Sequence, residues 1–173
     1  MDQELREMLD REAIHQCIVR LARGEDRRDA ALLRVSYWPG AKLDFGVFAA
    51  DFETYLGWVV PGADTITNTQ HVLGQSFIEL DGNSARGETH VVSYHRVEGE
   101  DGERDTCIGG RYLDVYARRD DEWRVAERTM LYDWYQDWGP SIDWAGGVMG
   151  LPLSAPHYAG RAHGDFSAGF FGG

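Results

Sequence analysis

Three of the six histidines, His71, His90 and His95, fall on two stretches whose alternation and β-branched content read as neighbouring strands. Imidazole is the side chain whose ordinary titration lies nearest neutrality, so a histidine set in a cavity is a natural carrier of general acid–base chemistry. On the second stretch His90, Val92 and Tyr94 share one face, and Thr89, Val91, Ser93 and His95 share the other. That alternation makes His90 and Tyr94 candidates for one wall of a cavity and turns His95 away from them. His71, on the first stretch, is a candidate base, although taken alone it admits a structural reading more readily than a catalytic one. His15 lies on a helical pattern, and His157 and His163 lie in an aperiodic tail. No HExxH or comparable metal-ligand spacing occurs. Neither a metal nor a cofactor is implied.

A histidine base needs a partner. A carboxylate on one ring nitrogen fixes the tautomer and raises the basicity of the other. Asp26 follows Gly24, just past the expected end of the first helix, and precedes Arg27 and Arg28. It reads either as a solvated acidic turn or as an inward carboxylate that holds a histidine; spacing does not establish that it meets His71. Tyr94, Tyr112 and Tyr132 offer hydroxyls on apolar walls, as small-molecule pockets often do, or are ordinary core tyrosines.

These side chains need a scaffold. Residues 3–23 carry Leu5, Met8, Leu9, Ala13, Cys17, Ile18 and Leu21 at three- and four-residue steps, which predicts an amphipathic helix stopped by Gly24. A second helix is expected over 29–36 with Asp29 as its cap, ended by Pro39-Gly40, and a third over 51–60. Ala41 to Phe48 reads as a short strand or loop. Long strands follow at 65–80, with Gly74 as a bulge candidate, and at 85–97, joined by a turn at Asp81-Gly82-Asn83. Residues 98–105 read as a charged loop. The stretch 107–132 forms a hairpin about Arg119-Asp120-Asp121-Glu122, with Gly109 and Gly110 marking a bulge or bend. Helices ahead of a strongly bent antiparallel sheet define an α+β cone with a deep pocket between the layers. The domain is expected to span 1–153, with an irregular, Gly-rich tail at 154–173.

Bulk properties narrow the partners. The net charge of −12 repels phosphate backbones, which argues against nucleic acid. Without a long apolar run, membrane insertion is not expected, and the cytoplasm is the default location. Cys17 and Cys107 lack metal or redox spacing and read as small buried hydrophobes. The apolar third helix and aromatic tail favour a homo-oligomer, and the expected ligand is a small molecule.

The stretches REAIHQCIVRLARGED (11–26), TQH (69–71) and GGRYLDVYARRDDEWRVAER (109–128) resemble the SnoaL-like group of the NTF2-like superfamily, over roughly residues 5–135. The similarity is to the branch that holds the gamma-hexachlorocyclohexane dehydrochlorinase. The resemblance implies that Asp26 and His71 form a proton-abstracting dyad, that Arg128 is a pocket arginine and that Tyr112 is an aromatic wall. It also implies a trimer, dimers being common elsewhere in the superfamily. Two positions depart from that branch: Leu21 replaces a lysine that assists the leaving chloride, and Leu43 replaces a wall tryptophan. Scytalone dehydratase, bile-acid dehydratases and a cofactorless deformylating lyase of lignin-derived diarylpropanes share the fold. The implied activity is a cofactor-independent lyase of dehydratase or deformylating type, acting on a small apolar, cyclic or aromatic hydroxylated substrate. His90 is the reserve acid. An isomerase, a polyketide cyclase using the same base, and a non-catalytic small-molecule-binding protein are the alternatives.

Overall fold

The structure is a computed structural model that describes residues 2–154, 157 and 165–171. His163 and most of the tail expected after residue 153 lie outside the described residues.

Helix α1 (Gln3–Arg27) opens on Asp2, whose carboxylate accepts from the Glu4 amide. Its buried side chains Ile14, Cys17, Ile18, Leu21, Ala22 and Glu25 recur at helical steps. The helix runs past the stop expected at Gly24. That glycine serves close approach instead: a Cβ there would sit 3.0 Å from the Leu33 side chain on α2 (Ala30–Arg34). The true stop is Arg28, in the left-handed conformation with φ 51°, whose amide donates to the Glu25 carbonyl. Asp29 then caps α2 as expected, accepting from the amides of Ala31 and Leu32. Asp26 therefore belongs to the last helical turn, not to a free acidic turn.

Six strands form one open sheet in the spatial order β2–β1–β6–β5–β4–β3. They are β1 (Tyr37–Asp44), β2 (Ala49–Asp51), β3 (Ile66–Asp81), β4 (Ser84–Gly99), β5 (Gly102–Arg119) and β6 (Glu122–Pro140). Every pairing is antiparallel except β1 with β6. Helix α3 (Phe52–Val59) follows β2 and is capped by Asp51. The expected hairpin turns on Asp120 and Asp121, with φ 51° and 61°, which suits the twist of the flanking strands. The register shifts between Gly109 and Gly110, as their sequence suggested, and again between Leu73 and Ser76 around Gly74. Such bulges bend strands.

Three further boundaries differ from expectation. Pro39-Gly40 lies inside β1, the charged stretch 98–105 is mostly strand, and β6 continues eight residues past Tyr132 to Pro140. Polar side chains do not stop a ladder built from backbone groups, and cross-strand pairs such as Arg104–Asp137 at 2.7 Å support it. The core lies between the concave face and the helices, around Ile14, Ile18, Leu21, Leu33, Tyr37, Phe52, Tyr116 and Val125. Asp10 on α1 accepts from the Trp123 indole at 2.8 Å and pairs with Arg118, fastening the helix to the β5–β6 hairpin. Cys17 and Cys107 are buried thiols. Among the described residues no helix is long and apolar enough to cross a membrane.

Candidate active site

Consecutive residues on a helix point about 100° apart, so the last turn of α1 aims Glu25 into the cone and Asp26 at the neighbouring sheet edge. That edge is β3. An edge strand leaves alternate backbone groups without a strand partner, and Asp26 fills this role for His71. The His71 amide donates to both Asp26 carboxylate oxygens at 3.0 and 3.1 Å, and His71 Nδ1 lies 2.7 Å from Oδ1. One carboxylate thus grips both the backbone and the ring of His71. Nδ1 carries the proton in this arrangement, and Nε2 is left with its lone pair. Burial alone lowers the His71 pKa, but the Asp26 hydrogen bond and the charges of Glu25 and Asp26 outweigh it, and the net direction is upward.

His71 looks into a cavity of about 260 Å³. Its apolar wall includes Phe45, Phe48, Trp58, Ile66, Ile108 and Met130; Glu25, Arg28, Thr69, His71, Ser93 and His95 contribute polar groups, and the Arg28 guanidinium donates to the Pro61 and Ile66 carbonyls. Tyr112 lines it too, and burial, with Glu25 nearby, raises its hydroxyl pKa. Tyr132 lies at the lining and donates its hydroxyl to the Phe45 carbonyl at 2.9 Å.

Arg128 is fully buried but does not line the cavity. It forms a two-pronged ion pair with Asp114, both contacts at 2.8 Å, and its guanidinium stacks 3.8 Å from the centre of the Tyr112 ring. Asp114 also accepts from the Tyr116 hydroxyl. The arginine approaches the cavity through two lining residues, Tyr112, on which it stacks, and Glu25, whose Oε1 lies 3.9 Å from Nη1. Leu43 sits in the core, opposite Arg128 in the β1–β6 register, and does not line the cavity.

The face assigned to His90 and Tyr94 is corrected. The two do share a face, but it is the outer one. Tyr94 donates to Asp105 at 2.7 Å and lines a separate outer groove with Arg96 and Trp138. His90 is half exposed beside Glu88. The cavity is walled instead by Ser93 and His95. Alternation separates two faces without saying which one the helices cover; the outward set is marked by its charged neighbours Glu88 and Arg96. His95 meets the His71 ring edge-on at 6.2 Å between centres, and burial, followed by the His71 charge, pushes its pKa down to about 4. It is a neutral donor or acceptor near pH 7.

Glu25 escaped the sequence reading. The signal was its place on the buried stripe, four residues after Leu21 and seven after Ile18. Among the described residues no group of three or more His, Cys, Asp or Glu side chains is placed to hold a metal ion.

Helices laid over a bent, open, mostly antiparallel sheet with a pocket between them make this an α+β cone of the NTF2-like and cystatin-like kind. The chain belongs to the SnoaL-like domain family, whose model matches residues 6–129. Its structure is similar to a type 2 hexachlorocyclohexane dehydrochlorinase (LinA), with TM-score 0.71 and 18% identity over 90% of this chain and 100% of that one. It is also similar to the LinA-type3 enzyme of Novosphingobium barchaimii, with TM-score 0.69 and 17% identity over 89% and 100% of the two chains. A protein described as a scytalone dehydratase homologue in Novosphingobium aromaticivorans gives TM-score 0.66 and 16% identity over 79% and 91%. No curated protein sequence matches this chain.

Proposed function

We propose that this chain is a cofactor-independent lyase in which His71, held by Asp26, removes a proton from a small, largely apolar cyclic or aromatic substrate that carries hydroxyl groups. Where the proton comes from carbon, the carbanion pair becomes a double bond as a neighbouring hydroxide departs; where it comes from a hydroxymethyl oxygen, the alkoxide collapses to a one-carbon aldehyde and the C–C pair moves into the new double bond as hydroxide departs. The observation that carries this reading is the triple contact of Asp26 on His71 at the wall of an apolar, aromatic-lined cavity. A base held in one tautomer, facing a largely apolar wall, is what proton abstraction from carbon needs. The dehydrochlorinases and the dehydratase-like protein named above belong to eliminating chemistry, which supports the same class. Leu21 lies in the core and brings no cation to the cavity, and the Arg28 guanidinium at the lining is engaged with the Pro61 and Ile66 carbonyls, which supports dehydration or deformylation over chloride loss.

The test uses 5-nitrobenzisoxazole, an aromatic carbon acid whose N–O bond opens when a base takes its C–H proton. The wild type is expected to accelerate this opening. His71→Ala is expected to lose on the order of 10²–10⁴ in turnover while the far-ultraviolet circular dichroism stays unchanged. A folded His71→Ala variant with near-full turnover, or a wild type that gives no acceleration, removes the dyad from the mechanism.

A further inference from the structure

The nitrogen of His71 that must do the chemistry faces a second carboxylate. Glu25 Oε2 lies 3.6 Å from His71 Nε2. The residue is only 5% exposed, it lines the cavity, and among the described residues Oε2 has no hydrogen-bond partner. Its other oxygen, Oε1, accepts from the Tyr55 hydroxyl and lies near Arg128. A buried carboxylate oxygen without a donor is costly, and an apolar side chain would fill this place on the α1 stripe at less expense. The separation from Nε2 is too long for a resting hydrogen bond and closes with a small side-chain rotation.

We propose that Glu25 is the second proton-transfer group of the site: it takes from His71 Nε2 the proton removed from the substrate carbon and delivers it to the departing oxygen. This rests on the dyad reading. The C–H bond breaks first, an N–H bond forms at Nε2, and the electron pair stays on the substrate, spread into its conjugated system. The N–H proton then moves to Glu25 Oε2, which restores the neutral imidazole. As the carbon pair becomes a double bond, the C–O bond breaks and the leaving oxygen takes the Glu25 proton. A hydroxyl leaves as water, both side chains return to their starting state, and nothing is oxidised or reduced. Tyr55 and Arg128 hold Oε1, which keeps Oε2 directed at the imidazole. The groups that face Glu25 are His71, Tyr55, Arg128, Tyr112 and Tyr37, with Asp26 on the far side of His71. The upward shift of His71, to which Glu25 contributes, agrees with this placement.

Glu25→Gln keeps the shape and removes the acid. Two readouts test the role. In the ligand-free protein, the His71 ring titration followed by NMR is expected to move to lower pH in Glu25→Gln; an unmoved titration overturns the proposal. The second compares 5-nitrobenzisoxazole, whose phenolate leaves without help, with unsubstituted benzisoxazole, whose poorer leaving oxygen gains from a proton. Glu25→Gln is expected to lose modestly on the nitro compound, through the weaker His71 base, and to lose roughly 10²-fold more on the parent, the scale of one positioned acid. Equal losses on both overturn the acid role. Should Glu25→Gln unfold, Glu25→Asp, with the acid one methylene farther from Nε2, is expected to show the same selective loss in smaller degree, and equal losses again overturn it. Failure of the dyad itself would show separately, as unchanged turnover in His71→Ala.

Discussion

Asp26→Asn swaps one atom and leaves the shape of the site intact, so it isolates what the carboxylate does. In the native arrangement Oδ1 faces His71 Nδ1 at 2.7 Å and both oxygens face the His71 amide. A carboxamide has one oxygen, and either orientation fails in a definite way. With the oxygen toward Nδ1, the amide NH2 replaces Oδ2 and meets the His71 backbone N–H donor to donor, 3.1 Å away in the native geometry. With the NH2 toward Nδ1, the imidazole must accept there, the proton moves to Nε2, and the base is gone. The charge is lost in both cases. A charge-assisted hydrogen bond contributes about 1.5–3 kcal/mol against about 1 for a neutral one, so roughly one unit of His71 basicity is at stake. Tautomer and basicity together are expected to cost about 10²–10⁴ in turnover of 5-nitrobenzisoxazole, comparable to His71→Ala. NMR of the histidine ring in the same variant is expected to show a lower pKa. Turnover near the wild-type level with the ring titration unmoved would refute the reasoning.

The acidic limb of kcat/KM is expected above pH 6.5, the ordinary histidine value, because the folded protein raises His71; a limb at or below that value in the free enzyme contradicts the assignment. The same shift has a sign in stability: the His71 contribution is full below about pH 6.5, the unfolded value, and is lost as pH rises through the raised folded pKa. Urea titrations of the wild type and His71→Phe should therefore differ in slope across that window. Gly110→Ala would put a Cβ 2.1 Å from the Leu131 backbone oxygen, which cannot retreat without opening the β5–β6 bulge. A loss of about 1–3 kcal/mol is expected by chemical denaturation, and an unchanged midpoint would deny the bulge its tight packing. A homo-oligomer, trimer or dimer, is our proposal for the assembly, supported by an exposed apolar row across the outer sheet in which Val72 pairs with Val92, Val92 with Gly109, and Trp134 with Gly109. Light scattering at micromolar concentration checks it, and a monomer contradicts it.

The cone was readable from sequence because its signals are local. Helical spacing in α1, the Asp29 cap, the charged turn at 120–121 and the paired glycines each act within a few residues. What escaped depends on burial decided elsewhere. Gly24 looks like a stop until Leu33 is seen packed against it. His95 looks turned away until it is known which sheet face the helices cover, and Arg128 suits a pocket position until its Asp114 partner is found beneath Tyr112. The contact of Asp26 with His71 spans 45 residues and follows from where α1 crosses β3, which no local pattern encodes.

The grip of Asp26 on the His71 amide reaches beyond the reaction. An unpaired amide on an edge strand is a template on which another chain can add a strand, and here the Asp26 carboxylate occupies it. The residue that orients the base also blunts the sheet at its most chemically sensitive point. Loss of Asp26 would then release an adhesive edge along with the imidazole, so impaired variants at this position would tend to self-associate. Conversely, fraying of β3 would silence the site while the rest of the cone stayed folded, and exchange of the His71 amide with solvent deuterium would count the fraction of molecules with an assembled dyad.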